Sequence, residues 1–198
     1  MAREGDLNWS RGVDYASEEM LEWVKSQKKQ GGDNVKFVRV HRGQSRWINW
    51  QKDRTNAETF LNSPEIFIRD DVRKIELLEE VLHHVQVMVP DFMEQFPYPW
   101  FELHVKDFMI RHRDLFNLSS YDVEMLQQMM RSYTDSDDIN DVKVKIPPSA
   151  KARIPMRNRK SVDAFLDKSM GYLMNMMIDD LKEGAMWKIP YGMQLEVN

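Results

Sequence analysis

The chain has 198 residues, of which 42% are hydrophobic, and a formal net charge of −4. This length and apolar content predict one globular domain, residues 1–198, or one domain with an appended subdomain whose boundary would lie in 134–160. A protein with a net negative charge does not attract nucleic acid or an anionic membrane by its overall electrostatic field, so neither is expected as a partner. The chain contains no cysteine, which excludes disulfide bonds, thiolate zinc sites and cysteine nucleophiles. Any metal site must therefore use His, Asp or Glu.

The amino-terminal segment is polar and lacks the apolar core of a signal peptide. No apolar run approaches the roughly 18 residues that a membrane-spanning helix needs. We therefore expect a cytoplasmic protein, although export by a specialised route is compatible with the same sequence.

The amino-terminal part of the chain predicts one helix followed by three short strands. Ser17 is a suitable N-cap for a helix that begins SEEMLEWV. Residues 35–40 and 46–50 are rich in β-branched and aromatic side chains, and the glycine-containing link between them is typical of a hairpin. Residues 65–69, EIFIR, predict a third strand with its isoleucines on one face.

Three longer amphipathic stretches follow. The first predicts a helix that Asp70 or Asp71 can cap and that ends before Pro90, because proline cannot continue a helix. A second helix is predicted over about residues 100–116, and a third is predicted to begin at one of the serines 119–120.

The carboxyl-terminal part is predicted to hold a short edge strand at 142–148, a basic loop at 151–160 and a last helix, which Ser161 caps and Gly184 ends. The expected fold class is α+β: a small sheet with a hairpin, packed against four or five helices.

The predicted helix over residues 77–86 carries two Glu-His pairs. Glu79 and His83 are four residues apart on one edge of its polar side. Glu80 and His84 share the other edge in the same way. An i, i+4 pair can place two ligand atoms on one ion, which is why zinc hydrolases use that spacing. The residue after the first ligand lies beside the metal, so Glu80 is the candidate general base.

A third metal ligand is expected from the following helix, which offers Glu102 and His104. With His104, the set of Glu79, His83 and His104 has two imidazoles and one carboxylate and suits Zn²⁺. With Glu102, the set has one imidazole and two carboxylates. That set is harder and more anionic, binds zinc less well and tolerates Mn²⁺ or Fe²⁺.

The same Glu-His spacing also occurs on solvated helix faces, where each pair adds roughly 0.2–0.5 kcal/mol. The spacing alone is compatible with both a solvated helix face and a metal site. His84 is predicted to support the site from behind or to lie at the edge of the core, rather than to bind the ion.

A family resemblance adds to this interpretation. A strand ending in Arg, the run LLEEVLHHVQ and a later helix with Glu-x-His-Val follow one another. This order resembles the small zincin-like metallopeptidase domains of bacterial polymorphic toxins and of some phage and mobile-element proteins. The resemblance covers roughly residues 60–130, and Glu79 stands where that family most often has His. It implies a zincin-like core at about 35–133 with a helical extension at about 142–198.

By this resemblance the protein is a zinc-dependent peptidase that hydrolyses a protein or peptide substrate, with the base and ligands named above. The substrate would lie along the edge of the strand at 65–69, and Gln86 would support the helix or its neighbouring strand.

Two hypotheses from other functional classes accompany the peptidase. One is a non-catalytic binding protein of viral or mobile-element origin, on a zincin-like or unrelated scaffold. The other is a nucleic-acid-associated factor that acts through the basic loop, which carries Arg153, Arg157, Arg159 and Lys160.

Overall fold

The structure, a computed structural model, describes residues 14–27, 34–53, 56–60, 63–92, 98–134 and 163–182. These residues form six helices and one three-stranded mixed sheet, so the fold is α+β. The chain divides into two compact units, Met1–Met88 and Val89–Asn198, and each is described by itself. The prediction of one domain over the whole chain stays a prediction.

Several predicted features lie outside the described residues. They are the strand at 142–148, the basic loop at 151–160, and the caps Ser161 and Gly184. Among the helices that are described, none is both long and apolar enough to cross a membrane.

The first unit contains a small sheet and three helices. Its elements in chain order are α1 (Glu18–Ser26), β1 (Lys36–Arg39), α2 (Ser45–Asp53), β2 (Ala57–Thr59), β3 (Glu65–Ile68) and α3 (Lys74–Met88). Ser17 caps α1, since its side chain accepts a hydrogen bond from the backbone N–H of Met20 at 3.2 Å. The predicted cap of α1 is therefore confirmed.

The sheet has the order β1-β3-β2. β1 runs parallel to β3, and β2 runs antiparallel to it. Ile66 and Ile68 on β3 are fully buried, whereas Phe67 between them is only half-buried. One face of the sheet therefore forms the core, and α3 packs next to β2.

The predicted strand at 46–50 is wrong, because these residues lie in α2. An alternating strand would bury Ile48 together with Trp50. Instead Trp50 is buried and Ile48 is 45% exposed, which is the pattern of a helix that buries one stripe. The antiparallel pair of consecutive strands is β2 and β3, so the hairpin lies later in the chain than predicted.

The expectation that the strand at 65–69 offers a free edge to a substrate is also wrong. β3 is the central strand and pairs with a neighbour on each side. Its backbone groups are used within the sheet, and among the described strands the edges belong to β1 and β2.

The start of α3 differs from the predicted cap. Asp70 and Asp71 bind arginines of the sheet region instead, Asp70 with Arg39 at the end of β1 and Asp71 with Arg69 just after β3. The helix begins at Lys74, and the carboxylate of Glu76 accepts the backbone N–H of Arg73 at 2.9 Å. A glutamate that reaches back to the residue before the helix is the glutamate half of a capping box. The predicted end of the helix before Pro90 is confirmed, since α3 ends at Met88.

The second unit is helical in its described part. It contains α4 (Tyr98–Arg111), α5 (Ser120–Thr134), a 3₁₀ turn (Ala164–Asp167) and α6 (Met170–Lys182). α4 ends earlier than predicted because residues 112–117 form turns, with Asn117 at a positive φ of 49°. α5 begins as predicted, where Ser119 and Asp122 cap each other's backbone N–H groups at 3.1 and 2.8 Å.

The last helix is shorter than predicted at its amino-terminal end. After the 3₁₀ turn the chain passes through an extended Lys168, and α6 starts with Ser169 accepting the backbone N–H of Tyr172. Ser169 therefore caps α6, whereas the predicted cap Ser161 lies outside the described residues.

An ion-pair network joins the end of α4 to α6. Arg111 Nη1 lies 2.8 Å from Asp180 Oδ2, and His112 Nε2 lies 2.9 Å from the same oxygen. Arg111 Nε also donates to the fully buried carboxylate of Asp107. Burial outweighs the attraction of Arg111 and raises the pKa of Asp107. For Asp180 burial acts in the same direction, but the hydrogen bond from His112 and the charge of Arg111 overcome it and lower the pKa.

Asp180→Asn should therefore destabilise the protein by about 0.5–1 kcal/mol near neutral pH, the scale of a partly solvated ion pair. A lowered pKa means that the folded state favours the ionised carboxylate. Its contribution is present above the unfolded value of about 3.9 and is lost as the pH falls through the folded-state pKa. In urea unfolding, the difference between wild type and Asp180→Asn should shrink on acidification. The exposed neighbour Asp179 provides the control substitution, and a pH-independent difference for Asp180→Asn would contradict the network.

Candidate metal centre

Both sides of α3 are buried. Its apolar residues on the core side are at most 1% exposed: Leu77, Leu78, Val81, Leu82 and Val85. The polar residues are also covered, at 8% or less: Glu79, His83, His84 and Gln86. Polar side chains at this depth are stable only when they are hydrogen-bonded, paired or bound to a metal. These polar residues therefore do not form the solvated helix face that the sequence spacing also allowed.

Glu79 and His83 lie together on one edge of α3, as their spacing predicts. Each offers a ligand atom, a carboxylate oxygen and a ring nitrogen, and these atoms lie within 4.8 Å of one another. Two atoms that each stand about 2 Å from a zinc ion can be no more than about 4 Å apart, so a small side-chain movement would bring both onto one ion. The donor types, one carboxylate and one imidazole, suit a divalent cation.

Gln86 fixes the orientation of the His83 ring. The Nδ1 of His83 and the Oε1 of Gln86 are 2.8 Å apart, and both side chains are buried. An amide oxygen only accepts hydrogen bonds, so Nδ1 carries the ring proton and donates it. Nε2 is then the nitrogen that has the lone pair. Histidines that bind metals in proteins are generally held in this way through their other nitrogen.

His84 fastens α3 to the sheet. It is fully buried, and its Nε2 is hydrogen-bonded to Thr59 Oγ1 on β2. The Thr59 hydroxyl also donates to the carbonyl oxygen of Glu65, at 3.4 Å, and can therefore accept the ring N–H. His84 thus acts on a different edge of the helix, about 100° around the axis from His83.

Glu76 continues the polar edge towards the start of α3. Its carboxylate accepts from Asn56 Nδ2 at 2.7 Å in addition to the backbone N–H of Arg73. Burial raises the pKa of Glu76, and the nearby negative charge of Glu79 adds to the effect. Two carboxylates, Glu76 and Glu79, therefore lie on this edge of α3, and Arg73 Nε lies 3.9 Å from Oε1 of Glu76.

The proposed base, Glu80, is the next residue of the same helix and is half-buried. At about 100° per residue it lies beside the Glu79–His83 edge rather than on it. This position is compatible with a carboxylate that handles a proton next to the ligands without taking part in ligation.

Glu102 and His104 lie on α4, in the second unit. They are two residues apart, so their side chains leave the helix about 200° apart and cannot both face one point. The ring of His104 packs 4.9 Å from that of Phe92 and 6.3 Å from that of Phe108, and His104 is 2% exposed. His104 therefore belongs to the aromatic core of its unit, while Glu102 lies on the other side of α4.

The sequence analysis missed one charged residue, Lys106. Its ammonium nitrogen lies 2.7 Å from Oε2 of Glu102, and its side chain has no exposed surface. The signal was present in the sequence, because Glu102 and Lys106 have the i, i+4 spacing of a helical ion pair. The complete burial of the lysine could not be read from that spacing.

No model of a known protein family matches the chain. A search of curated proteins and a search of solved structures likewise find nothing significantly similar to it. The resemblance to zincin-like domains therefore stays a prediction that rests on the motif.

Removing the Thr59 hydroxyl tests how strongly His84 holds α3 to the sheet. Thr59→Val keeps the size and shape of the side chain but takes one hydrogen-bond partner from a buried imidazole, which should cost about 1–3 kcal/mol of unfolding free energy. Thr59→Ser keeps the hydroxyl and should cost clearly less. Equal stability of the two variants in urea unfolding would show that this contact does not hold the helix.

Proposed function

We propose that the protein is a metal-dependent hydrolase, most simply a peptidase of the zincin-like type. In this proposal Glu79 and His83 are ligands of a divalent ion, and Glu80 is the general base. The peptide substrate is implied by the motif resemblance, whereas the metal site has support from the arrangement of side chains.

The observation that carries the proposal is the buried pair on α3. Glu79 and His83 place their ligand atoms within 4.8 Å of each other away from water. Gln86 accepts the hydrogen bond from Nδ1 of the His83 ring, so Nε2 is the nitrogen available to bind a metal. A carboxylate and an oriented imidazole on adjacent turns provide two of the three protein ligands that catalytic zinc sites use.

For the third protein ligand the sequence analysis offers Glu102 or His104, and that choice stays a prediction.

A bound divalent ion would supply Lewis acidity, which polarises a carbonyl and makes water a nucleophile at neutral pH. The chain itself would supply the proton transfers. The carboxylate of Glu80 would take a proton from the attacking water and later give one to the departing amine. Glu79 and His83 would act by fixing the position of the reacting groups rather than by moving protons.

Metal binding is tested first, because it separates this proposal from a non-catalytic binding protein. The purified chain should retain about one divalent ion, and a chelator should lower its melting temperature, with Zn²⁺ restoring it. Saturation at about 1,000 times Kd corresponds to about 4 kcal/mol of stabilisation. His83→Ala should abolish the response, while His41→Ala, at an exposed histidine, should leave it intact. If neither the chelator nor the added metal changes the melting temperature of the wild type, the proposal is contradicted.

Catalysis is tested separately with Glu80→Gln. This variant should keep the metal-dependent rise in melting temperature but lose hydrolysis of unfolded polypeptides by about 10²–10⁴-fold, since only the proton-accepting carboxylate is changed. Cleavage products are measured by mass spectrometry of a peptide mixture. Undiminished cleavage by Glu80→Gln would show that another residue is the base.

A further inference from the structure

The outer face of the sheet in the first unit carries arginines next to aromatic rings. Ile66 and Ile68 of β3 are buried in the core, so Phe67 between them lies on the opposite, outer face. Side chains of α2 reach this face, since Trp50 Nε1 donates to Oε2 of Glu58, the partner of Phe67 on β2, at 3.3 Å. The side chains gathered there are called the arginine–aromatic surface: Arg42, Arg46, Trp47, Phe60, Phe67 and Arg69.

One half of the arginine–aromatic surface is a stack around Phe67. Arg46 Cζ lies 3.7 Å from the centroid of the Phe67 ring and 5.4 Å from that of the Phe60 ring. The two phenylalanine rings meet edge to face, with their centroids 5.7 Å apart. Phe60 is nevertheless 45% exposed, so part of its ring is open to contact with another planar group.

The other half is built around Trp47. The guanidinium carbon of Arg69 lies 5.2 Å from the centroid of the Trp47 ring, and that of Arg42 lies 5.8 Å from it. Arg69 is neutralised by two hydrogen bonds to Asp71, each of 3.0 Å. Arg42 is exposed and forms no ion pair with any residue that the structure describes. Its positive charge is therefore available to a ligand.

The charge of this part of the chain is opposite to that of the whole. Residues 35–51 contain no Asp or Glu, and their basic residues are Lys36, Arg39, Arg42 and Arg46. Lys36, on β1, is exposed as Arg42 is. A chain with a net charge of −4 therefore has a locally cationic segment. Because salt screens the charge of distant residues, such a segment can still attract a phosphate at short range.

We propose that the arginine–aromatic surface binds single-stranded nucleic acid. In this arrangement a phosphate pairs with Arg42, and an unpaired base stacks on the exposed ring of Phe60. A duplex keeps the faces of its bases inside the helix, and an acidic peptide or an anionic membrane offers charge without planar bases. An unneutralised cation together with an exposed ring therefore favours a single strand over these other anionic partners. The inference does not depend on the proposed metal site.

The experiment measures binding of a short fluorescent oligothymidylate to the full chain by anisotropy, at low salt and with EDTA present. Wild type should bind the single strand, and a duplex of the same length should bind at least about tenfold more weakly. Phe60→Leu keeps an apolar side chain but removes the ring, so it should weaken binding at least about fivefold, the lower end of base–aromatic stacking. Phe60→Tyr keeps the ring and should retain the affinity.

The salt dependence tests the contribution of Arg42 separately. Loss of one phosphate contact should reduce the slope of log K against log salt concentration by about 0.7, and this is the change expected for Arg42→Gln. Arg42→Lys keeps the charge and should keep the slope. Lys25→Gln removes an exposed lysine that is paired with Glu22 on α1 and should change neither the affinity nor the slope.

Three results would overturn the inference. They are no binding of oligothymidylate by wild type at low salt, equal affinity for the duplex, and equal affinity of Phe60→Leu and wild type for the single strand. Tighter binding of an acidic peptide or of anionic vesicles than of oligothymidylate would also overturn it and would assign the surface to that partner. Because EDTA is present throughout, none of these results depends on whether the chain binds a metal.

Discussion

The burial of α3 on both its apolar and its polar side is the constraint on which the first unit depends. A helix that faced water on one side could rotate or slide at little cost. Here the polar side chains need partners at fixed positions, because a buried polar group without one costs about 1–3 kcal/mol. His84 meets that need at Thr59 on β2, and Glu76 meets it at Asn56 just before the same strand. These two contacts, about two turns apart on the helix, set its register against the sheet.

The same rule explains how charged groups are held in the helices. His83 is bound by Gln86 three residues on, Glu102 by Lys106 four residues on, and Asp107 by Arg111 four residues on. In each case the partner comes from the next turn of the same helix. Such a local partner holds one of the two polar atoms of a side chain. The direction of the other polar atom is then fixed as well. This is the property that a metal ligand needs before the ion arrives.

Sequence reasoning succeeded where local pattern decides structure. The cap at Ser17, the end of α3 before Pro90 and the shared edge of Glu79 and His83 follow from capping chemistry, the missing proline N–H and the helical repeat. It failed at residues 46–50, whose strand-like composition is overridden by tertiary packing that buries Trp50 alone.

Strand order and depth of burial could not be predicted. Nothing local in 65–69 indicates that it becomes the central strand, because that depends on pairing with segments on both sides. In the same way, the i, i+4 spacing of Glu102 and Lys106 predicts an ion pair but not its burial. The burial of His104 likewise depends on aromatic rings, such as that of Phe92, that are distant from any motif.

The central claim is that Glu79 and His83 bind one divalent ion. The most direct test is anomalous X-ray diffraction at the zinc absorption edge from crystals of the full chain grown with Zn²⁺. The account predicts a single strong peak about 2.0–2.1 Å from His83 Nε2 and within bonding distance of the Glu79 carboxylate. Crystals that contain zinc elsewhere but show no peak at these two side chains would contradict it.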